Sequence, residues 1–159
     1  ATVFSLSFHL VGGPGVLFDW ITGFDLNRWE TLGLLLGLVF ILGFVFDWME
    51  ILLVFLPIFL PVFQQLDFVD HVGSAYAATV WLGALVALTL QSSFLTPPFG
   101  YALFFAKMTA PASVSLADIY RGAIPLVLLE IVLLVLVVVF PALVIWLPQM
   151  SLNLAQLAL

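Results

Sequence analysis

An apolar stretch that is long enough to cross a bilayer, residues 76–106, is interrupted by a polar and proline-rich segment. The interruption covers residues 90–100, Leu-Gln-Ser-Ser-Phe-Leu-Thr-Pro-Pro-Phe-Gly. Unpaired backbone is so costly in hydrocarbon that non-helical chain at membrane depth persists only beside protein or a watery cavity. The sequence therefore predicts a broken transmembrane helix over residues 76–106. In secondary transporters such breaks expose carbonyl groups that bind substrate and coupling ions, so the break is a candidate site.

The composition places the chain in a membrane. Hydrophobic residues make up 65% of it and charged residues 8%, far from the usual composition of soluble domains. Nine acidic residues against three basic ones argue against nucleic acid as a partner. The absence of cysteine excludes disulfides and thiolate sites. No nucleophile–base constellation or metal motif is recognisable, so we expect neither an enzyme nor a transition-metal site.

Residues 1–31 are predicted to form the tail of a helix and an interfacial segment. The apolar run 2–11 is too short to span, since crossing takes roughly 20 helical residues. Gly-Gly-Pro-Gly at residues 12–15 is expected to stop a helix. Trp20 and Trp29 lie among charged residues, as is typical of the headgroup interface. With no charged leader before it, the start Ala-Thr-Val-Phe predicts a lost initiator Met or a start inside a longer protein.

Residues 32–63 are predicted to form a helical hairpin. Two apolar arms, 32–46 and 51–63, flank Asp-Trp-Met-Glu at residues 47–50. A single straight helix of this length would exceed a hydrocarbon core of roughly 30 Å. We favour a turn near the acidic tetrapeptide, because two carboxylates deep in one lipid-facing span would be costly. A turn nearer Gly43, and a tilted span leading to an interfacial helix bent at Pro57 and Pro61, stay open as alternatives.

Residues 123–147 form the clearest predicted spanning helix. Glu130 is its only charge, and a lone intramembrane carboxylate suggests a functional site. We favour a structural role, in which Glu130 either reaches the interface or pairs with Arg121. Ser115 and Asp118 resemble a capping box and predict a short interfacial helix before the span. Lys107 and Arg121 flank one loop, so the positive-inside rule places that loop in the cytoplasm.

The connector 64–74, which contains His71, is expected to be a solvated loop and not a metal site.

The predicted break offers only neutral oxygen donors, which suit a monovalent cation such as sodium better than a transition metal. The first proline restricts the residue before it to extended geometry, and a following glycine permits close backbone approach. The alternative is a proline kink whose hydroxyls bond back to freed carbonyls. The residues that line the break are Gln91, Ser92, Ser93, Thr96, Pro97, Pro98 and Gly100.

An ordered set of motifs resembles the C-terminal part of the large membrane subunit of tripartite ATP-independent periplasmic (TRAP) transporters. Its members are Thr-Pro-Pro-Phe-Gly at 96–100, Asp-Ile-Tyr-Arg-Gly at 118–122 and Pro-Ala-Leu-Val-Ile-Trp-Leu-Pro at 141–148. Upstream, Gly-Phe-Val-Phe-Asp-Trp at 43–48 and Pro-Ile-Phe-Leu-Pro at 57–61 also fit the family's pattern. The likeness covers nearly the whole chain, and the order of the motifs makes it specific.

The resemblance implies one membrane domain, 1–159, like the second inverted repeat of an elevator-type transporter, with a hairpin, a broken helix and a spanning helix. It implies sodium-coupled uptake of organic acids across the bacterial inner membrane by a multi-pass protein. Sodium would be bound by backbone oxygens at Gly43, Ser93 and Phe99 and by the hydroxyl and carbonyl of Thr96. Ser93 stands where the family often has glycine, and its carbonyl can still coordinate. Sodium is the coupling ion, and no other cofactor is implied.

The resemblance also implies partners: the remaining part of the transporter, a small four-helix membrane subunit and a periplasmic binding protein. A complete large subunit carries two repeats, and the first is missing here, so we expect no transport by this chain alone. A fragment, a split-gene product and a repurposed remnant stay open. The alternative function is a non-transporting structural subunit of another membrane complex, in contact with lipid and protein. The rich aromatic content, with 16 Phe and 5 Trp, suits either function.

Overall fold

The computed structural model describes residues 2–46, 48–96, 100–111 and 113–157. Throughout these residues the regular structure is helical, which confirms the predicted all-α class. The chain divides into two compact units, Ala1–Asp67 and Phe68–Leu159, and each is described by itself. The elements are α1 Thr2–Leu10, α2 Gly13–Thr22, α3 Arg28–Leu42, α4 Trp48–Glu50, a π-helix Ile51–Phe55, α5 Leu56–Gln65, α6 Val69–Val72, α7 Ala75–Leu95, α8 Tyr101–Thr109, α9 Leu116–Val139 and α10 Ala142–Leu157.

The first unit begins with α1 and α2, which contact each other and α5. The predicted interruption at residues 12–15 is confined to Gly12, whose φ of 75° lies in the left-handed region. Helix α2 starts at the next residue with a proline in its first turn. Proline is tolerated there because the N–H that it lacks has no intrahelical partner in any case. The segment predicted to be interfacial is therefore largely helical.

Helix α3 begins at Arg28, four residues before the predicted arm, because Asn27 and Glu30 form a capping box. Asn27 Oδ1 accepts hydrogen bonds from the backbone N–H groups of Trp29 (2.9 Å) and Glu30 (3.0 Å), and the Asn27 N–H donates to Glu30 Oε2 (2.8 Å). The helix ends at Leu42, and residues 43–46 form a turn. This turn is nearer to the alternative position at Gly43 than to residues 47–50. The hairpin itself stays a prediction.

Helix α7 is central to the second unit, where it contacts α6, α8, α9 and α10. Ser74 caps its start by accepting a hydrogen bond from the Ala77 N–H (3.1 Å). Within the described residues, α7 and α9 are the helices that are long and apolar enough to cross a membrane. The connector before α7, expected to be a solvated loop, is partly packed instead: Phe68 is fully buried and begins a short helix, α6.

The predicted spanning helix 123–147 differs from α9 at both ends. The predicted capping box is confirmed, because Ser115 Oγ accepts from the Asp118 N–H (3.2 Å) and Asp118 Oδ2 accepts from the Ser115 N–H (3.0 Å). Helix α9 therefore starts at Leu116, and the expected interfacial helix is continuous with the span. It ends at Val139, since Pro141 has no N–H to extend the hydrogen-bond ladder, and α10 is a separate helix.

Candidate functional site

A row of hydroxyl side chains lies on one face of the C-terminal half of α7. Thr89, Ser92, Ser93 and Thr96 are three, one and three positions apart, which is the spacing of one helix face. Thr89, Ser92 and Ser93 are buried, with 3%, 2% and 1% of their surface exposed, and Thr96 is half-buried. These four residues, named the hydroxyl row from here on, bring polar oxygens into an otherwise apolar interior.

Each hydroxyl of the row donates its proton to a backbone carbonyl of its own helix. The bonds run from Thr89 Oγ1 to Leu85 O (2.8 Å), Ser92 Oγ to Leu88 O (3.0 Å), Ser93 Oγ to Leu90 O (2.8 Å) and Thr96 Oγ1 to Ser92 O (2.6 Å). A hydroxyl that has donated its proton retains lone pairs. The row therefore offers acceptors and not donors to a ligand, which favours a cation over an anion.

The last turn of α7 holds two of the residues that the sequence proposed as sodium ligands. Thr96 has an extended backbone, with φ −94° and ψ 126°, as expected before a proline. Its N–H donates to Ser93 O at 3.2 Å. The Ser93 carbonyl keeps a second lone pair, because a carbonyl oxygen can accept two hydrogen bonds. The Ser93 carbonyl and the Thr96 hydroxyl therefore belong to the same turn.

Gly100 lies on the other side of the predicted break, immediately before α8. A Cβ atom built on it would lie 2.8 Å from Phe94 O and 2.9 Å from Leu103 Cδ1. Its φ of −42° is open to any residue, so close approach and not a special dihedral requires glycine here. This supports the close backbone approach that the sequence suggested for it. The main chain thus returns against the carbonyl of the last turn of α7.

The structure brings only part of the predicted site together. Gln91, Ser92, Ser93 and Thr96 share the end of α7, whereas Pro97, Pro98 and Phe99 lie outside the described residues. Gly43 caps α3 and is buried, and it belongs to the first compact unit. The complete ligand set and the predicted break both stay predictions.

Glu130 of α9 lies against the polar end of α7. Its carboxyl group is close to the side chains of Gln91 and Ser92. Its Oε2 atom is buried and has no hydrogen-bond partner among the described residues. Pairing with Arg121, one of the structural roles that the sequence suggested for Glu130, does not fit, because Arg121 is exposed and lies nine positions, about 13 Å, along the helix. Glu130 thus faces neutral groups of the neighbouring helix.

A second contact, which the sequence did not predict, joins the end of α9 to α7 and α6. The indole N–H of Trp81 donates to Val137 O at 2.7 Å, and His71 Nε2 lies 2.8 Å from Val138 O. The residue four positions after Val137 is Pro141, which has no N–H, so these side chains satisfy carbonyls at the helix end. Trp81 is fully buried and also packs edge-on against Phe68 and His71. Pro141 was the sequence signal that could have predicted this contact, because its position shows that the Val137 carbonyl lacks a helical partner.

The described residues contain no cluster of three His, Asp or Glu side chains that could hold a metal ion.

Residues 1–143 match the family described as the tripartite ATP-independent periplasmic transporter, DctM component. No curated protein and no solved structure gives a significant match.

Proposed function

The chain belongs to the DctM family of tripartite ATP-independent periplasmic transporters, and we propose that it serves sodium-coupled uptake of organic acids. The family makes it a membrane transporter component. We further propose that it lies as a multi-pass protein in the bacterial inner membrane. The family name describes one component of a three-part system, so transport is proposed to require a small membrane subunit and a periplasmic binding protein.

The observation that carries the sodium proposal is the acceptor-only end of α7. Ser93 and Thr96 have donated their hydroxyl protons to backbone carbonyls. Their remaining lone pairs and the second lone pair of the Ser93 carbonyl are hard oxygen donors. A small monovalent cation without a strong demand for charged ligands fits such donors better than a transition metal does. Gly43 and Phe99 are the further proposed ligands, through their backbone oxygens.

Substrate is proposed to bind beside the ion, near Gln91, Ser92, Pro97, Pro98 and Gly100. Irregular backbone at membrane depth lies next to protein or a cavity, and in secondary transporters substrate sites use such segments. The contact of Gly100 with the last turn of α7 would hold the two sides of this segment close together.

Uptake measured with all transporter components tests the proposal. The chain is co-expressed with the remaining transporter part, the small subunit and the binding protein, and reconstituted into proteoliposomes. An inward sodium gradient should drive uptake of radiolabelled organic acids, while a choline gradient should not. We expect Thr96→Val, which keeps the side-chain shape but removes the hydroxyl, to reduce uptake at least about tenfold at low sodium, the minimum typical of impaired metal sites.

Thr96→Ser is the matched control, because it keeps the hydroxyl and should retain most of the uptake. Full uptake by Thr96→Val at low sodium would remove Thr96 from the site. Equal uptake under sodium and choline gradients would overturn sodium coupling. If the purified chain associates stably with unrelated membrane proteins and not with transporter components, the alternative of a structural subunit gains support.

A further inference from the structure

One face of α9 is turned toward its packing neighbours, and Glu130 lies on it. The residues of α9 that are not exposed recur mainly at intervals of three and four, which defines a single helix face. They are Leu116, Ile119, Tyr120, Ala123, Val127, Glu130, Leu134, Val137 and Val138. Large apolar residues on the opposite face, such as Leu129 and Val132, are 65% and 54% exposed. The only charge in the middle of the helix therefore points inward.

The two side chains that lie against the Glu130 carboxyl group are both neutral. The carboxyl group is close to the side chains of Gln91 and Ser92, while its buried Oε2 atom has no partner among the described residues. The Ser92 hydroxyl, which donates to Leu88 O, is also within hydrogen-bonding reach of the carboxyl group. The Gln91 side chain is hydrogen-bonded to the carboxyl group, so its NH2 faces Glu130, and a flip of the amide would present its oxygen to a cation instead. Three oxygen-bearing side chains thus lie together on two adjacent helices.

No charged side chain of the helices packed on α9 supplies a positive partner. Helices α7 and α10 carry no charged residue. The only charged residue of α8 is Lys107, whose Nζ donates to Val114 O in the loop before α9. Glu130 is half-buried, and its buried Oε2 atom has no partner among the described residues, which is unfavourable for a carboxylate inside a membrane protein. A bound cation would remove this cost.

We propose that Glu130, Ser92 and Gln91 form a binding site for a monovalent metal cation, separate from the ligands at Ser93 and Thr96. One carboxylate with two neutral oxygens matches a single positive charge, and hard oxygen ligands suit an alkali cation. The site lies at the first residues of the predicted break, where α7 meets α9. Its part in transport rests on the proposed function, but the binding of the ion is testable without transport.

Sodium binding to the full chain in lipid nanodiscs, with any co-purifying transporter components, tests the site. Isothermal titration with sodium chloride, with choline chloride keeping the ionic strength constant, gives the affinity and the number of ions bound. We expect Glu130→Gln to remove one sodium ion or to weaken its binding at least about tenfold, since even indirect partners of a bound metal contribute roughly 10- to 100-fold. Ser92→Ala, which keeps the carboxylate, should weaken the same ion by a smaller factor.

Two variants serve as matched controls. Glu50→Gln makes the same change at an exposed residue of the first unit, and Thr79→Val removes a hydroxyl of α7 that is also bonded to its own helix but lies outside the hydroxyl row. Both should bind sodium like the unmodified chain. Unchanged stoichiometry and affinity in Glu130→Gln and Ser92→Ala, or a loss of similar size in the controls, would overturn the proposed site.

Thr96→Val separates this inference from the proposed function. If Thr96→Val and Glu130→Gln each lose a different ion, both proposals are supported. If only Glu130→Gln loses an ion, the site at Glu130 stands and the one at Thr96 falls. If only Thr96→Val loses an ion, the site at Thr96 stands and the one at Glu130 falls. If sodium binding is the same in all variants as in the unmodified chain, both proposals are overturned.

Discussion

Helices α7 and α9 are both long and apolar enough to cross a membrane, yet their surroundings differ. In the most apolar part of α7, 44% of residues are buried and the mean hydropathy is 1.5; in α9 the values are 11% and 3.0. Helix α7 contacts four neighbouring helices, whereas most of the α9 surface is exposed and apolar. We interpret α7 as the interior helix of the second unit and α9 as the one that faces lipid.

The difference explains where each helix carries its polar groups. Helix α7 places its hydroxyl row inside the protein, and each hydroxyl satisfies its proton on its own backbone. The narrow packed face of α9 contributes Glu130 and the terminal carbonyls that Trp81 and His71 bind. Beyond its first turns, α9 makes its polar contacts where it meets α7 and α6, because most of its remaining surface is exposed and apolar.

A pair of leucine truncations gives the largest expected contrast. Leu85 of α7 is fully buried, whereas Leu129 of α9 is 65% exposed. We expect Leu85→Ala to lower the free energy of unfolding by about 2 kcal/mol, because it leaves a cavity. This is the low end of the range for such substitutions, since lipid solvates leucine as well as the protein interior does. Leu129→Ala should change it by less than about 0.5 kcal/mol, as at an unpacked surface site. Thermal unfolding in nanodiscs by circular dichroism measures both, and equal losses would contradict the assigned surroundings.

The end of α7 is tested by adding one methyl group at Gly100. The new Cβ would meet Phe94 O at 2.8 Å, and a backbone carbonyl cannot move aside cheaply, so Gly100→Ala should destabilise by about 1–3 kcal/mol. Gly83→Ala is the control within α7, because nothing lies within 4 Å of its Cβ position. That substitution should stabilise by roughly 0.5–1 kcal/mol through helix propensity. If both substitutions prove neutral in the same unfolding assay, the close approach is absent.

The end of α9 is tested by Trp81→Phe. Phenylalanine keeps most of the ring packing against Phe68 but loses the N–H that binds Val137 O. An unsatisfied buried carbonyl costs about 1–3 kcal/mol, and His71 bound to Val138 O should hold the effect near 1 kcal/mol. Amide hydrogen exchange should rise at the last turn of α9 and stay unchanged at its first turn, which Ser115 caps. A uniform rise would mean that Trp81 acts through general packing alone.

Much of the fold was predictable from local chemistry. The all-α class follows from the long apolar stretches and the start of α9 from Ser115 and Asp118. Membership of the TRAP family follows from the ordered motifs, and the family match over residues 1–143 confirms it. The start of α3 at Arg28 was missed, although Asn27 and Glu30 have capping-box spacing. The residues at the end of α7 were identified because prolines and hydroxyls interrupt an apolar run. These features depend on a few neighbouring residues, and the sequence states them directly.

The direction in which Glu130 points is a different kind of property. Apart from Glu130, helix α9 is apolar from Ile124 to Val139, so its sequence contains no amphipathic pattern that could fix its rotation. Only packing against α7 decides that Glu130 meets Gln91 and Ser92 and that Trp81 reaches Val137 O. The sequence by itself therefore determined the membrane class, the family and the polar end of α7. Tertiary structure decided which groups of α9 meet that polar end, because contacts between helices distant in sequence have no local signal.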